Sequence, residues 1–182
     1  MDSKIKFKVL NSYIFSNFGL IVKLENVEIG IPKNAVLKCL NSNLFWEAKN
    51  RIIEHSSEES FEFEEVLKIH INHSEYMRFS EILKVRNERN IRLYKLESIG
   101  NQEKPEIGES LVFHATTFRN KMQIKAIAEN YFLLENKEGY KAVIPKRKVL
   151  KSDIAKIGDY VRHCEHHFHD LVDENDNFVN RL

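Results

Sequence analysis

Ile31-Pro32-Lys33-Asn34-Ala35-Val36-Leu37-Lys38 returns later in the chain as Ile144-Pro145-Lys146-Arg147-Lys148-Val149-Leu150-Lys151. Six of the eight positions are identical, and the pair uses two of the chain's three prolines. Proline has a fixed φ and no N–H to donate, so it ends a strand or sits at a sheet edge. A shared proline at the same offset from an isoleucine reads as one structural corner used twice. Such self-similarity is weighed before single elements are assigned. Upstream, Leu24-Glu25-Asn26 parallels Leu134-Glu135-Asn136, with three further residues in the second copy.

Working outward from each copy, the pattern is that of strands. Ile5–Leu10 alternates apolar and basic residues, the period of a half-buried strand. Lys6 and Lys8 then share one side, and Phe7 and Val9 the other. Leu20–Leu24 gives a second strand and Val27–Ile31 a third, before the Pro-Lys corner. In the second copy the strands are Met122–Ala128, Tyr131–Glu135 and Tyr140–Ile144, with a turn at 136–139. Each meander is followed by hairpin signal: Ile82–Val85 with Ile91–Leu96, and Gly158–Val161 with Phe178–Leu182 after a turn at 173–177. Three strands, an interruption and a hairpin is the strand order of an oligonucleotide-binding barrel.

The interruption in the first copy reads as a helix over Asn43–His55, with Leu44, Phe45, Ala48 and Ile52 at helical spacing and Ser42 as N-cap. Glu64–Ile71 reads as a further strand. Leu111–Phe118 is a strand that either opens the second barrel or joins the two. The expected architecture is mainly β: two tandem barrels, 1–100 with a helical insertion and 101–182 as a degenerate second copy.

Bulk composition fits an ordinary soluble domain pair, with 42% hydrophobic and 30% charged residues over 182 positions. Net charge is +1, but it is segregated: residues 101–151 carry 10 Lys and Arg against 6 Asp and Glu, and residues 152–182 carry 3 against 7. Segregation of this kind can raise a local positive surface on a nearly neutral protein, or the blocks can neutralise each other. The N-terminal stretch has no apolar run of signal-peptide type, and no segment approaches the roughly 18 apolar residues of a membrane helix. Cys39 and Cys164 match no metal or redox spacing and read as reduced thiols in a cytoplasmic protein.

Asn17-Phe18-Gly19-Leu20-Ile21-Val22-Lys23-Leu24, followed by Val27-Glu28-Ile29-Gly30-Ile31-Pro32-Lys33, resembles the S1 RNA-binding domain family. Ile157-Gly158-Asp159-Tyr160-Val161 and Asp173-Glu174-Asn175 are similar to the stretches that mark that family's last two strands. The second copy has no Phe-Gly, and Tyr131 and Phe132 supply its aromatics. The resemblance implies an S1-type barrel that binds single-stranded RNA on the face of its second and third strands.

Such binding asks for aromatics to stack bases and cations to follow phosphates. In the first copy the candidates are Lys8, Tyr13, Phe15, Phe18, Lys23 and Lys33. In the second they are Arg119, Lys125, Tyr131, Phe132, Lys141, Lys146, Arg147 and Lys148. The competing reading puts the aromatics in two small cores and leaves the lysines merely solvated.

His163-Cys164-Glu165-His166-His167-Phe168-His169-Asp170 holds competent metal donors. Neighbouring ligands on one strand seldom complete a tetrahedron, so it reads as a polar, pH-responsive strand or loop. No metal or cofactor is expected. No catalytic glycine, Walker or HExxH pattern occurs, so no enzyme is expected either. The expected partner is single-stranded RNA or DNA, with a ribosome-associated or nucleic-acid-processing complex as a further partner and no membrane. The alternative is a protein-interaction adaptor that has lost nucleic-acid binding.

Overall fold

The computed structural model describes residues 5–15, 19–27, 30–52, 74–75, 77, 90–100, 104–115, 118, 120–164 and 168–179. The chain is mainly β and divides into two units, Met1–Ser98 with Glu103–Phe113, and Ile99–Gln102 with His114–Leu182. Leu111–Phe118, expected as a strand that opens the second barrel or joins the two, carries the strand Ser110–Phe113, which belongs to the first unit.

Six strands close the first unit: β1 (Lys6–Phe15), β2 (Gly19–Glu25), β3 (Val36–Cys39), β4 (Phe45–Ile52), β5 (Arg92–Ser98) and β6 (Ser110–Phe113). They form a closed barrel in the order β1-β2-β5-β4-β3-β6, every pair antiparallel. The alternation read in β1 holds: Phe7 and Val9 are buried, Lys6 and Lys8 exposed. Phe7, Val9, Leu20, Val22, Leu24, Ile31, Leu37, Trp46, Tyr94 and Leu96 are among the residues that fill the interior.

Two first-unit expectations are corrected. Val27–Ile31 is not a third strand: Val27, Gly30 and Ile31 lie outside the ladders, and Glu28 and Ile29 are beyond the described residues. Ile31 is instead pinned by its side chain in the core and by its N–H, which donates to Tyr94 Oη at 2.9 Å. The next strand starts after the proline corner, where Asn34 turns at φ 66°. Tyr94→Phe should leave the buried Ile31 N–H without a partner. Such a loss costs about 1–3 kcal/mol, readable as a lower urea midpoint at unchanged m-value.

The second correction concerns Asn43–His55, which reads as a helix but carries β4. Phe45 and Trp46 are both 0% exposed although they point to opposite sides of the strand, and Glu47 and Ala48 are also buried. A strand buried on both faces loses its apolar–polar alternation and mimics a helical pattern. A bulge between Ala48 and Asn50 then inserts Lys49 and breaks the period again. Lys49 Nζ holds the buried Glu47 carboxylate at 3.0 Å. The expected strands at 64–71 and 82–85 lie outside the described residues.

The second unit has β7 (Lys121–Ile127), β8 (Tyr131–Glu135), β9 (Lys141–Pro145), β10 (Tyr160–His163) and β11 (His169–Val172), in the sheet order β11-β10-β7-β8-β9. Met122, Ile124, Phe132, Leu134, Ala142, Ile144, Val149, Val161 and Leu171 form its core. Gly139 takes the φ of 81° that the β8–β9 turn needs. Tight 3-10 turns at Lys146–Lys148 and Ser152–Ile154 follow β9. Val149, between them, makes a single parallel bridge to His169, so the end of β9 reaches the far edge strand β11.

The strand that pairs with β10 is β11, which begins within the histidine-rich segment, whereas Phe178–Leu182 is the strand expected there. Phe178 contributes one bridge, to Val172, and residues 180–182 lie outside the described set. The expected turn at 173–177 is present. Asp173 Oδ1 accepts from the N–H groups of Asn175 and Asn177 at 2.8 and 2.9 Å. Those bonds from Asn177 and Asn175, with Lys121 nearby, hold its carboxyl below the usual aspartate range. Among the described residues, no helix is long and apolar enough to cross a membrane.

The proline corner thus has two outcomes. Ile31 and Ile144 are both core residues. Beyond the proline the copies part: Leu37 is fully buried in the first unit, while its counterpart Leu150 is 52% exposed and Val149 turns inward instead. The two units do not share one topology.

Candidate nucleic-acid interface

The candidate residues of the first unit are spread over its barrel. Lys8 is exposed on β1 and sits opposite Glu25 of β2, an arrangement that offsets its charge. Lys23 is half-buried on β2, and Lys33 is exposed in the corner after Pro32. Tyr13 is half-buried with its ring edge-on to Phe15, centroids 4.6 Å apart. Phe15 itself is 0% exposed, and a ring with no open face cannot stack a base. Phe18 lies outside the described residues, as does Arg119 of the second unit.

The second unit gathers its candidates more tightly. Phe132 is the exception: it is 0% exposed in the core, with Lys146 Nζ 5.8 Å from its ring. Lys146, Arg147 and Lys148 make up a single 3-10 turn, and none of the three is buried. The turn is anchored on both sides. Lys146 N–H donates to Asn130 O at 3.0 Å, and Leu150 N–H to His169 O at 2.9 Å. Tyr131, half-buried, pairs across the ladder with Pro145, next to this turn. Lys151 follows in a left-handed conformation and is exposed. Lys141 lies at the other end of β9, paired with Glu135. Lys125 is exposed at a bulge in β7 between Ile124 and Ala126.

The outward face of β8 and β9, where the S1 resemblance puts RNA, is less open than that resemblance implies. Period-two alternation places Leu133 and Val143 on it, yet they are 6% and 1% exposed. Val143 N–H donates to His114 Nε2 at 3.3 Å. Cations and aromatics are instead found at the β9 corner and along a second surface. That surface is a groove of about 870 Å³, lined by Phe118, Lys121, Gln123, Lys125, Lys137 and Tyr160 among others.

The sequence did not single out Gln123, Lys137 or Tyr160, although alternation within β7 and β10 puts Lys121, Gln123 and Tyr160 on one side. Lys121 is already engaged there. Its Nζ donates to Glu174 O at 2.6 Å, pairs with Asp176 at 3.1 Å and lies 5.0 Å from the Tyr160 ring.

No protein-family model, curated protein or solved structure matches this chain.

The histidine-rich segment is split between two strands. His163 ends β10 and His169 begins β11, directly opposite each other in the ladder. Burial, then the charges of His163 and Lys148, push the His169 imidazole below its ordinary pKa, so it is neutral at pH 7. Cys164 donates its thiol to Asp170 Oδ2 at 2.6 Å. Burial and that bond raise the thiol's pKa, which keeps Cys164 protonated and a poor nucleophile. The second unit therefore carries exposed cations at the β9 corner, a half-buried tyrosine beside them and a buried, neutral His169.

Proposed function

We propose that the second unit is an oligonucleotide-binding barrel of S1 type, and that the protein binds single-stranded nucleic acid, above all RNA, without catalysing a reaction on it. Its strand order supports the reading. A three-stranded meander is followed by an interruption and a hairpin whose first strand returns beside the meander's first strand. The observation that carries the function is the Lys146-Arg147-Lys148 turn. Three consecutive cations are presented on a corner held by the β8–β9 ladder and by β11, beside Tyr131. Phosphates would follow the turn, and Tyr131 would meet a base.

Fluorescence anisotropy with mixed single-stranded RNA at two salt concentrations tests this directly. Each neutralised phosphate contributes about −0.7 to the slope of log K against log salt on a single strand. Three contacts at the corner should give a slope near −2 from this turn alone. The variant Lys146→Glu, Arg147→Glu, Lys148→Glu should bind at least about tenfold more weakly at low salt and lose that part of the slope. Wild-type protein with no affinity at low salt, or a variant that binds as tightly, would overturn the proposal.

One observation favours a second reading, a protein-interaction adaptor. Leu150, Ile154 and Ile157 are 52%, 40% and 66% exposed within the single connection from β9 to β10. If these side chains form one contiguous apolar patch, they would suit a protein contact. An adaptor would show no oligonucleotide shift and would retain a stable partner through this segment.

A further inference from the structure

Histidines side by side on one strand seldom complete a metal site. The fold separates them. β10 and β11 are antiparallel, and His163 and His169 face each other across the ladder. Val161 and Leu171, each two positions further along the same strands, are core residues, so both imidazoles lie on the core side at the end of the hairpin. Their Nδ1 atoms are 3.2 Å apart.

We infer that His163 and His169 form a two-histidine site for a divalent transition-metal ion of the zinc class. Zinc binds imidazole nitrogen at about 2.0–2.1 Å, so two ligands at the tetrahedral angle stand about 3.3 Å apart. The observed separation lies within about 0.1 Å of that spacing. The ring planes are inclined by 50° with centroids 5.0 Å apart, closer than two imidazoles meeting head-on at this Nδ1 distance. The rings therefore do not meet head-on, which leaves room for an ion beside the two Nδ1 atoms.

Several contacts hold the rings there. Phe118 stacks on His169 with centroids 4.5 Å apart and planes 19° from parallel. Phe118 itself packs on the second core. The backbone of His169 accepts from Leu150 N–H, and that of Cys164 donates to Phe168 O, which fixes the hairpin on both sides. His169 is 5% exposed while His163 is exposed, so an ion would be reached from the His163 side. The two Nδ1 atoms lie within hydrogen-bond distance of each other. Metal binding takes both Nδ1 lone pairs, so each ring bound to the ion carries its proton on Nε2, with no redox change.

Among the described residues no group of three or more His, Cys, Asp or Glu is arranged around a metal. The protein therefore supplies two ligands, and the other positions go to water or to an oxygen of a bound molecule. This inference is independent of nucleic-acid binding.

The test is a Zn2+ titration of the full chain at pH 7.5, followed by histidine-ring resonances and by the urea midpoint, with EDTA reversal. Zn2+ should shift the ring signals of His163 and His169 together and raise the midpoint saturably. His163→Gln should weaken Zn2+ binding at least about tenfold, whatever the loss of its contact with His169 does to the metal-free midpoint. His169→Gln should do the same to affinity, whatever it does to stability. A control variant His166→Gln, His167→Gln should leave both effects in place. Millimolar Zn2+ that moves neither ring nor midpoint overturns the site. So does a response that survives His163→Gln, since the ion is then held elsewhere.

Discussion

Phe132→Ala is expected to destabilise the second unit by about 3–5 kcal/mol, the range for removing a buried aromatic ring from a packed core. Phe132 is 0% exposed and belongs to the cluster with Met122, Ile124, Leu134, Ile144 and Val161. Its sequence position beside Tyr131 makes it an equally good candidate for stacking a base, and the two roles give opposite results. As a core residue, its loss lowers the urea midpoint and removes amide-exchange protection from β7, β8 and β9. Molecules that remain folded would still bind oligonucleotide with unchanged affinity. A variant of native stability that fails to bind RNA would show that the ring serves as a platform after all.

Trp46→Ala should have an effect of similar size on the first unit, about 3–5 kcal/mol. At 1.4 kcal/mol per factor of ten, that raises the unfolded fraction by about two to three and a half orders of magnitude. Trp46 is the largest fully buried side chain of the described core, and it faces the barrel interior with Ala48, Tyr94 and Leu96. The same substitution separates strand from helix at this segment. On a helix burying Leu44, Phe45, Ala48 and Ile52, Trp46 would point away from the buried face. Its removal would then change stability by no more than about 0.5 kcal/mol. Chemical denaturation of the single variant distinguishes the two.

Local pattern made part of this fold legible. β1, β2, β5, β7, β8 and β9 overlap segments where alternation or short apolar runs between turn residues mark strands. The turns at 136–139 and 173–177 were marked by Gly139 and by Asp173, whose carboxylate organises the backbone after it. β4 was not legible, because burial on both faces and the bulge at Lys49 remove the period that identifies a strand. β11 was hidden for a different reason. His169-Asp170 looks polar in sequence, yet both residues are buried, with His169 against Phe118 and Asp170 against the Cys164 thiol.

The candidate site was legible in its cations and less so in its aromatics. A lysine on a half-buried strand or tight turn must leave its ammonium group in water, so Lys125, Lys146, Arg147 and Lys148 could be placed outside from sequence. An aromatic fits a core as well as a surface, and only packing decides. It sent Phe15 and Phe132 inward and left Tyr131 half-exposed.

The repeated Ile-Pro-Lys-x-x-Val-Leu-Lys segment marks where this division falls. Its sequence alone determined a buried isoleucine, an interruption at proline and a turn that presents a lysine, because those follow from side-chain transfer energy and the missing N–H. What comes after the turn depended on the partner strands. In the first unit β4 and β6 flank the segment, and Val36–Cys39 becomes a strand with Leu37 inward. In the second, the neighbour is β11, reached by one parallel bridge, and Val149 takes the core while Leu150 faces out. Neighbouring residues of a strand point to opposite sides, so a different partner selects which of two adjacent apolar residues is buried. That choice is made by tertiary pairing and cannot be read from six identical residues.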